Sequence, residues 1–328
     1  MRARVVMALF VFVLAAAGCG SSSTPPPSVT IAPVEVMPSG AQEVTSTVPA
    51  AGSADCVDRE ASLRPGPQQP APGAMPPGST MAAIAERGRL IVGVDQNTNL
   101  FGERNPSTGQ LEGFDIDVAR EFARAIFGDP DRIDLRVVEA KQRESALQSG
   151  EVDLVVRTYS ITCERKNFVE FSTTYFTAHQ KILVVKGSGI DSAAALSDKR
   201  VCAATGTTSL TALLALDSKP TVIAVTSWTD CLVMLQQGQV DAISTDDSVL
   251  AGLMEQDPKN LEIVGDSIGD EPYGVGINKE HKDLVRFVNG VLDQMRVDGT
   301  WKRLYEARLQ SLLGPSPGPP AARYQDEP

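Results

Sequence analysis

Residues 146–155 (ALQSGEVDLV) return, little changed, as residues 234–243 (MLQQGQVDAI). Each copy reads as the end of a helix, a glycine stop and a short apolar strand. One unit used twice predicts two similar α/β lobes. In open parallel sheets, ligands gather beyond the carboxyl ends of the strands. The residues that follow the two strands are Arg157 and Thr158 in one copy, Thr245 and Asp246 in the other. A polar, charged set facing a cleft between two lobes is the layout of a clamp for a small polar molecule.

The surrounding sequence extends the pattern. Strand 89–94, helix 115–127, strand 133–138, helix 142–148 and strand 152–156 form a β-α-β-α-β series. In the first of these helices Ile116, Ala119, Phe122, Ala123 and Ile126 share a face, Asp115 stands at the N-cap and Gly128 follows the last turn. The second series has strands at 200–204, 221–225 and 240–244, with helices at 210–216, 228–237 and 249–256. Such alternation implies mainly parallel sheets. Helices at 284–297 and 301–313 are expected to return to the first lobe. The chain then crosses between lobes twice, near residues 175–179 and 269–273, and two crossings make a hinge. The expected architecture is an α/β fold of two lobes with a ligand cleft between them. Residues 81–176 and 271–313 form the first lobe, and residues 177–270 the second.

The ends differ from this middle. Met1-Arg2-Ala3-Arg4 precedes an apolar run over 5–17, too short to span a bilayer comfortably but suited to a signal peptide of residues 1–18. Small residues directly before Cys19 resemble a bacterial lipobox, so Cys19 is the expected lipidated residue; an ordinary secretory signal with an incidental cysteine is the alternative. A lipid on Cys19 would hold the protein on the outer face of the cytoplasmic membrane. Residues 19–80 are rich in Pro, Ser, Gly and Ala and are expected to be a disordered tether, as is the tail 314–328.

A net charge of −11 and the lack of any Lys/Arg cluster with interleaved aromatics argue against a nucleic-acid partner. Cys19 aside, Cys56, Cys163, Cys202 and Cys231 remain, an even number with three possible connectivities. Cys202 lies in a strand and Cys231 in a helix of the same lobe. The expected pairs are Cys202–Cys231, closing a loop of ~30 residues for roughly 3–4 kcal/mol in the chain-entropy model, and Cys56–Cys163; free buried thiols are the alternative. With His179 and His281 the only histidines and no Cys/His metal spacing, neither a metal nor a cofactor is expected.

Three elements carry candidate chemistry. Arg165 lies just beyond the first repeat strand, and arginine binds carboxylates through a fixed fork. Residues 205–209 (TGTTS) open a helix, whose first N–H groups can hold an anion. Asp246 could accept hydrogen bonds from an ammonium. Read singly, each has a plainer explanation: a surface ion pair of Arg165 with Glu164 or Glu170, a helix cap, an Asx-turn at Asp246. Together they fit the backbone of a free α-amino acid.

Residues 113–119 (GFDIDVA), 160–165 (SITCER), 206–209 (GTTS) and 245–247 (TDD) resemble the polar amino acid-binding proteins of ABC importers, of the type II periplasmic-binding-protein fold. Within them the chain is similar to the glutamine-binding lipoproteins of actinobacteria. The resemblance runs from about residue 87 to residue 313. It implies that Arg165 binds the ligand α-carboxylate with help from Thr207, beside Thr208. It implies that Asp246 binds the α-ammonium, helped by the Thr158 carbonyl or the Ser160 hydroxyl, and that Asp95 and Phe101 flank the ligand. Departures are Cys163, where Pro, Asp or Glu is common, Thr158 in place of a commoner Gly, and Ala204 in place of a Lys. Arg157 could meet a side-chain carboxylate or amide oxygen. Facing a neutral amide it would lack a charge partner, which is costly, so Glu or Asp is expected to bind at least as well as Gln or Asn. The expected partners are a free amino acid and an ABC permease, or a membrane sensor protein if the module feeds a signalling pathway; the chain is expected to be a monomer. An enzyme, of the dehydratases that resemble this family, would need an acid or base in the cleft, and neither histidine falls in a cleft motif.

Overall fold

The computed structural model describes residues 37–45 and 56–325. Two mixed sheets each carry a βα core. The first runs in the order Ile133–Val137, Leu90–Val94, Leu154–Val155, Gly276–Asn278, Val169–Phe171. The second runs Gln42–Val44, Thr221–Val225, Arg200–Ala204, Ala242–Asp246, Phe176–Val185, Leu261–Tyr273. The expected parallel pairing holds for the three repeat-derived strands of each sheet. Crossing and returning strands add antiparallel pairs.

Burial explains the helices. Helix Phe114–Phe127 keeps Ile116, Ala119, Phe122, Ala123 and Ile126 wholly inside, and its C-cap is Gly128 in the left-handed conformation. Its N-cap is Gly113, at φ 132°, not Asp115. A Cβ on Gly113 would lie 2.3 Å from the Phe101 carbonyl oxygen, so only glycine lets the helix start this close to that loop. Asp115, freed from capping, turns inward. Helices Lys282–Val297 and Thr300–Arg308 return to this lobe, where Trp301 Nε1 donates to the Tyr175 carbonyl at 2.6 Å.

Phe176–Val185 and Leu261–Tyr273 form one antiparallel ribbon, from Phe176 opposite Tyr273 to Val185 opposite Leu261, with an irregularity between Gln180 and Ile182. Phe176 and Tyr273 belong to the core under the first sheet, and Ile182, Leu183 and Leu261 to that of the second. The chain therefore passes between the cores through paired strands, at the places where the sequence locates its two crossings.

The tether and the tail need correcting. Gln42–Val44 adds an antiparallel edge strand to the second sheet. Residues 56–80 lie on the first lobe: Ala61, Ser62 and Leu63 are buried, and the Ser62 hydroxyl donates to the Phe171 carbonyl at 2.6 Å. Tyr324 and Gln325 pair in parallel with Ser62 and Leu63, and Arg323 meets Asp58 at 2.8 Å. Low hydrophobicity hides such segments, because edge pairing draws on backbone groups that composition does not weigh. Residues 1–36, with the signal peptide and Cys19, lie outside the described residues.

Both disulfides pair as expected, Cys56–Cys163 and Cys202–Cys231. The Cys202→Ala/Cys231→Ala variant should lose roughly 3–4 kcal/mol of unfolding free energy in urea titration, from the loop-closure entropy of that bridge. A loss below about 1 kcal/mol would contradict the entropic account.

Candidate ligand-binding cleft

The strand ends of both repeats open onto one small cleft. Arg143, Arg157, Thr158, Ser160 and Arg165 line it from the first lobe; Thr207, Thr208, Ser209, Trp228, Thr245, Asp246 and Val249 line it from the second. The lobes meet directly around it. The Gly206 carbonyl accepts from Arg143 Nη2 at 2.8 Å and Arg165 Nη2 at 3.1 Å, and Asn99 Nδ2 donates to the Gly252 carbonyl at 3.2 Å. Gly206, at φ 78°, passes so close to Lys141 that a Cβ would lie 2.6 Å from its Cα.

Three buried arginines dominate the first wall, each in a different electrostatic state. Arg157 makes an ion pair with Asp95, Nη2 to Oδ2 at 2.8 Å, and both side chains are buried. Asp95 is held in turn by the Thr98 hydroxyl at 2.6 Å and the Gln96 amide at 2.7 Å. The expectation that Arg157 would lack a charge partner is thus corrected, although its Nε has no hydrogen-bond partner. Arg165 donates to the Ser160 carbonyl at 2.6 Å and lies 3.6 Å from Glu144. Among the described residues, Arg143 donates only to carbonyls, those of Ala140, Arg157 and Gly206, and covers the Tyr159 ring at 4.1 Å. No carboxylate stands at ion-pair distance from it among the described residues. Burial first, and then the Arg165 charge, push its pKa down to about 9.

Thr158 takes φ 37°, a left-handed conformation that a β-carbon disfavours, at the position where a glycine is commoner among the proteins it resembles. Its amide donates to Asp115 Oδ2 at 2.8 Å, and the Tyr175 hydroxyl donates to Oδ1 at 2.7 Å. Asp115 therefore pins the strand-end turn from below. Burial lifts its carboxyl to about 7 despite both hydrogen bonds.

On the second wall the Thr207 hydroxyl is spent as a helix cap, accepting from the Leu210 amide at 3.2 Å and donating to the Ala204 carbonyl at 2.7 Å. The Thr208 hydroxyl instead bridges Ser160, at 3.4 Å, and Glu271, at 2.8 Å. Asp246 ends its strand without capping the next helix. It accepts from the Tyr273 hydroxyl, and Ser209 Oγ lies 3.5 Å away. Burial, then the neighbouring Glu271 charge, push Asp246 up to about 8.

The cleft thus gathers Arg157, Thr158, Ser160, Arg165, Thr207, Thr208 and Asp246, with Asp95 behind Arg157. Phe101 is corrected: it is fully buried in an aromatic cluster, with ring centroids 5.2 Å from Phe176, 5.9 Å from Phe114 and 6.0 Å from Tyr273. Its loop approaches the cleft, but its ring packs under the crossing ribbon. Two residues at the cleft, Arg143 and Glu271, carry no local signal in the sequence: Arg143 opens a short, mostly polar helix, and Glu271 sits within a ribbon strand.

The model of the bacterial extracellular solute-binding proteins, family 3, matches residues 90–310, which carry the first sheet, all of the second but its edge strand Gln42–Val44, and every cleft residue. The chain belongs to that family. It is 37% identical over 228 residues to the ABC transporter glutamine-binding protein GlnH of Bacillus subtilis, covering 69% of this chain and 83% of that protein. It is 41% identical over 209 residues to the glutamine-binding protein of Geobacillus stearothermophilus, covering 63% of this chain and 79% of that one. It is 30% identical over 243 residues to the glutamate-binding protein GluB of Corynebacterium glutamicum, covering 71% and 82%. Among solved structures, the solute receptor for L-cysteine of Neisseria gonorrhoeae superposes with a TM-score of 0.69 at 28% identity, covering 72% of this chain and 96% of that one. An ancestral arginine-binding protein bound to glutamine gives 0.63 at 32% identity, covering 70% and 99%. These relatives are solute-binding proteins, not enzymes. The family match leaves out the edge strand Gln42–Val44 and Cys56, which this family 3 protein adds to both lobes. No helix among the described residues is long and apolar enough to cross a membrane.

Proposed function

We propose that the protein is an extracytoplasmic receptor for free amino acids with carboxylate or amide side chains (Glu, Asp, Gln and Asn), which it delivers to an ABC importer. The reading rests on one observation: the cleft holds a cationic fork, Arg165, and a buried carboxylate without a cation, Asp246, on opposite walls. An α-carboxylate and an α-ammonium satisfy both at once. A ligand that touches both walls favours the closed lobe pair by its differential affinity, and the crossing ribbon is the hinge.

Side-chain preference follows from charge balance. Arg157 is neutralised by Asp95, so it is not the group that selects an acid. Arg143 is buried and, among the described residues, no carboxylate stands at ion-pair distance from it, so a second ligand carboxylate relieves a charge that an amide leaves less compensated. Glutamate and aspartate are therefore the favoured ligands, with glutamine and asparagine weaker. The names of the relatives span glutamine and glutamate, which supports the class. Lipid anchoring through Cys19 completes the proposal, since a receptor that hands its cargo to a permease gains from being held at the membrane.

Calorimetry with a panel of free amino acids tests the reading. Heat is expected for the four named ligands, and each at a hundred times its dissociation constant should add ~2.7 kcal/mol of stability. Silence across the panel, with no shift in melting, would contradict it.

A further inference from the structure

Glu271 sits in the crossing ribbon, opposite Ala178, and is buried. Among the described residues, the one hydrogen bond of its carboxylate is accepted from the Thr208 hydroxyl, at 2.8 Å. Asp246, also buried, is a close electrostatic neighbour from the end of a second-lobe strand. No lysine, arginine or histidine stands at ion-pair distance from either carboxylate among the described residues. The other groups facing Asp246 are Tyr273 and Ser209 by hydrogen bond, and Asp247 and Arg165 by charge. Tyr273, whose own hydroxyl is raised well above its usual range by burial, serves as a donor and not as a counter-ion. Arg165 lies across the cleft, and its effect on Asp246 is smaller than that of Glu271. Closing the lobes therefore buries two carboxylates together with no cation to offset them, an arrangement that penalises the closed form wherever both are ionised.

We propose that Glu271 acts with Asp246 as a charge latch on closure. Without a cation the two carboxylates hold the lobes apart at neutral pH; the ammonium of the ligand supplies that cation and lets them close. The latch rests on the amino acid reading above for the identity of the cation. Its placement explains why a residue of the ribbon, and not of either wall, carries the second charge: Glu271 reports the state of the ammonium pocket to the strands that must bend. Protonation of Asp246 has the same effect as the ligand. Burial, then the Glu271 charge, raise the Asp246 carboxyl to about 8, so its neutral form prevails as pH falls and the empty cleft closes more readily in acid.

Tryptophan quenching of the full-length chain in detergent micelles tests this. The chain has two tryptophans. Trp301 is buried in the first core, while Trp228 lines the cleft, so closure is read as protection of Trp228 from acrylamide. Ligand-free wild type should be quenched at pH 8 and protected at pH 5. Glutamate should protect it at pH 8. Glu271→Gln should be protected at pH 8 without ligand, with a flattened pH response, and Glu271→Asp should restore the wild-type response. His179 lies half-exposed on the ribbon beside Asp247 and Asp270; His179→Gln should leave the response intact. A flat pH response with glutamate still protective would overturn the latch alone, as would a response lost in His179→Gln or unchanged in Glu271→Gln. An intact pH response with no effect of any amino acid would overturn the ligand reading alone.

Discussion

Arg165→Ala is expected to abolish amino acid binding. Its guanidinium is the cation on the first wall that reaches both the Ser160 carbonyl and the second-lobe Gly206 carbonyl, at the mouth of the helix Thr208–Ala215. A ligand carboxylate held there is desolvated, and removing its partner leaves a buried, uncompensated charge, a loss of about 3–5 kcal/mol. That corresponds to roughly a hundred- to several-thousand-fold in dissociation constant. The same variant should still fold, because Arg165 lies in a short turn at the cleft and not in a core. Calorimetry beside a thermal melt separates the two effects. A dissociation constant within about threefold of wild type, a change under 1 kcal/mol, would show that the α-carboxylate sits elsewhere.

Arg143→Gln is expected to divide the ligands. Glutamate and aspartate should weaken by roughly 10- to 150-fold, the 1.5–3 kcal/mol of a hydrogen bond to a charged group. Glutamine and asparagine should change little, since their amides draw no charge compensation from Arg143. Calorimetry of all four ligands against wild type and variant reads the difference. An equal loss for all four would make Arg143 a support for Tyr159 and the Gly206 carbonyl, both of which it touches, and not a selector of acids.

The two predictions rest on residues that the sequence reveals unequally. Arg165 and Asp246 are legible because each follows a repeat strand, and the carboxyl ends of strands face the cleft by topology alone. The disulfides are legible because export and an even cysteine count leave few alternatives. Arg143 is not, because its position on a short helix gives no hint that the side chain folds back over Tyr159 into the cleft. Arg157 is found but its partner is not: Asp95 lies 62 positions away in sequence (157 − 95), and their pairing exists only through the parallel register of Leu90–Val94 with Leu154–Val155. Phe101 is misplaced for a similar reason. Its loop borders the cleft, yet the ring finds a better environment among Phe114, Phe176 and Tyr273. The edge strand Gln42–Val44 and the Tyr324–Gln325 pairing escape because backbone hydrogen bonding, not apolar periodicity, forms them.

A crystal structure grown with glutamate tests the central claim most directly. The account predicts the α-carboxylate on Arg165, the α-ammonium on Asp246 and the side-chain carboxylate within hydrogen-bond reach of Arg143, with the Arg157–Asp95 pair intact. Glutamate bound in the reverse orientation, or an empty cleft with the ligand elsewhere, would contradict it.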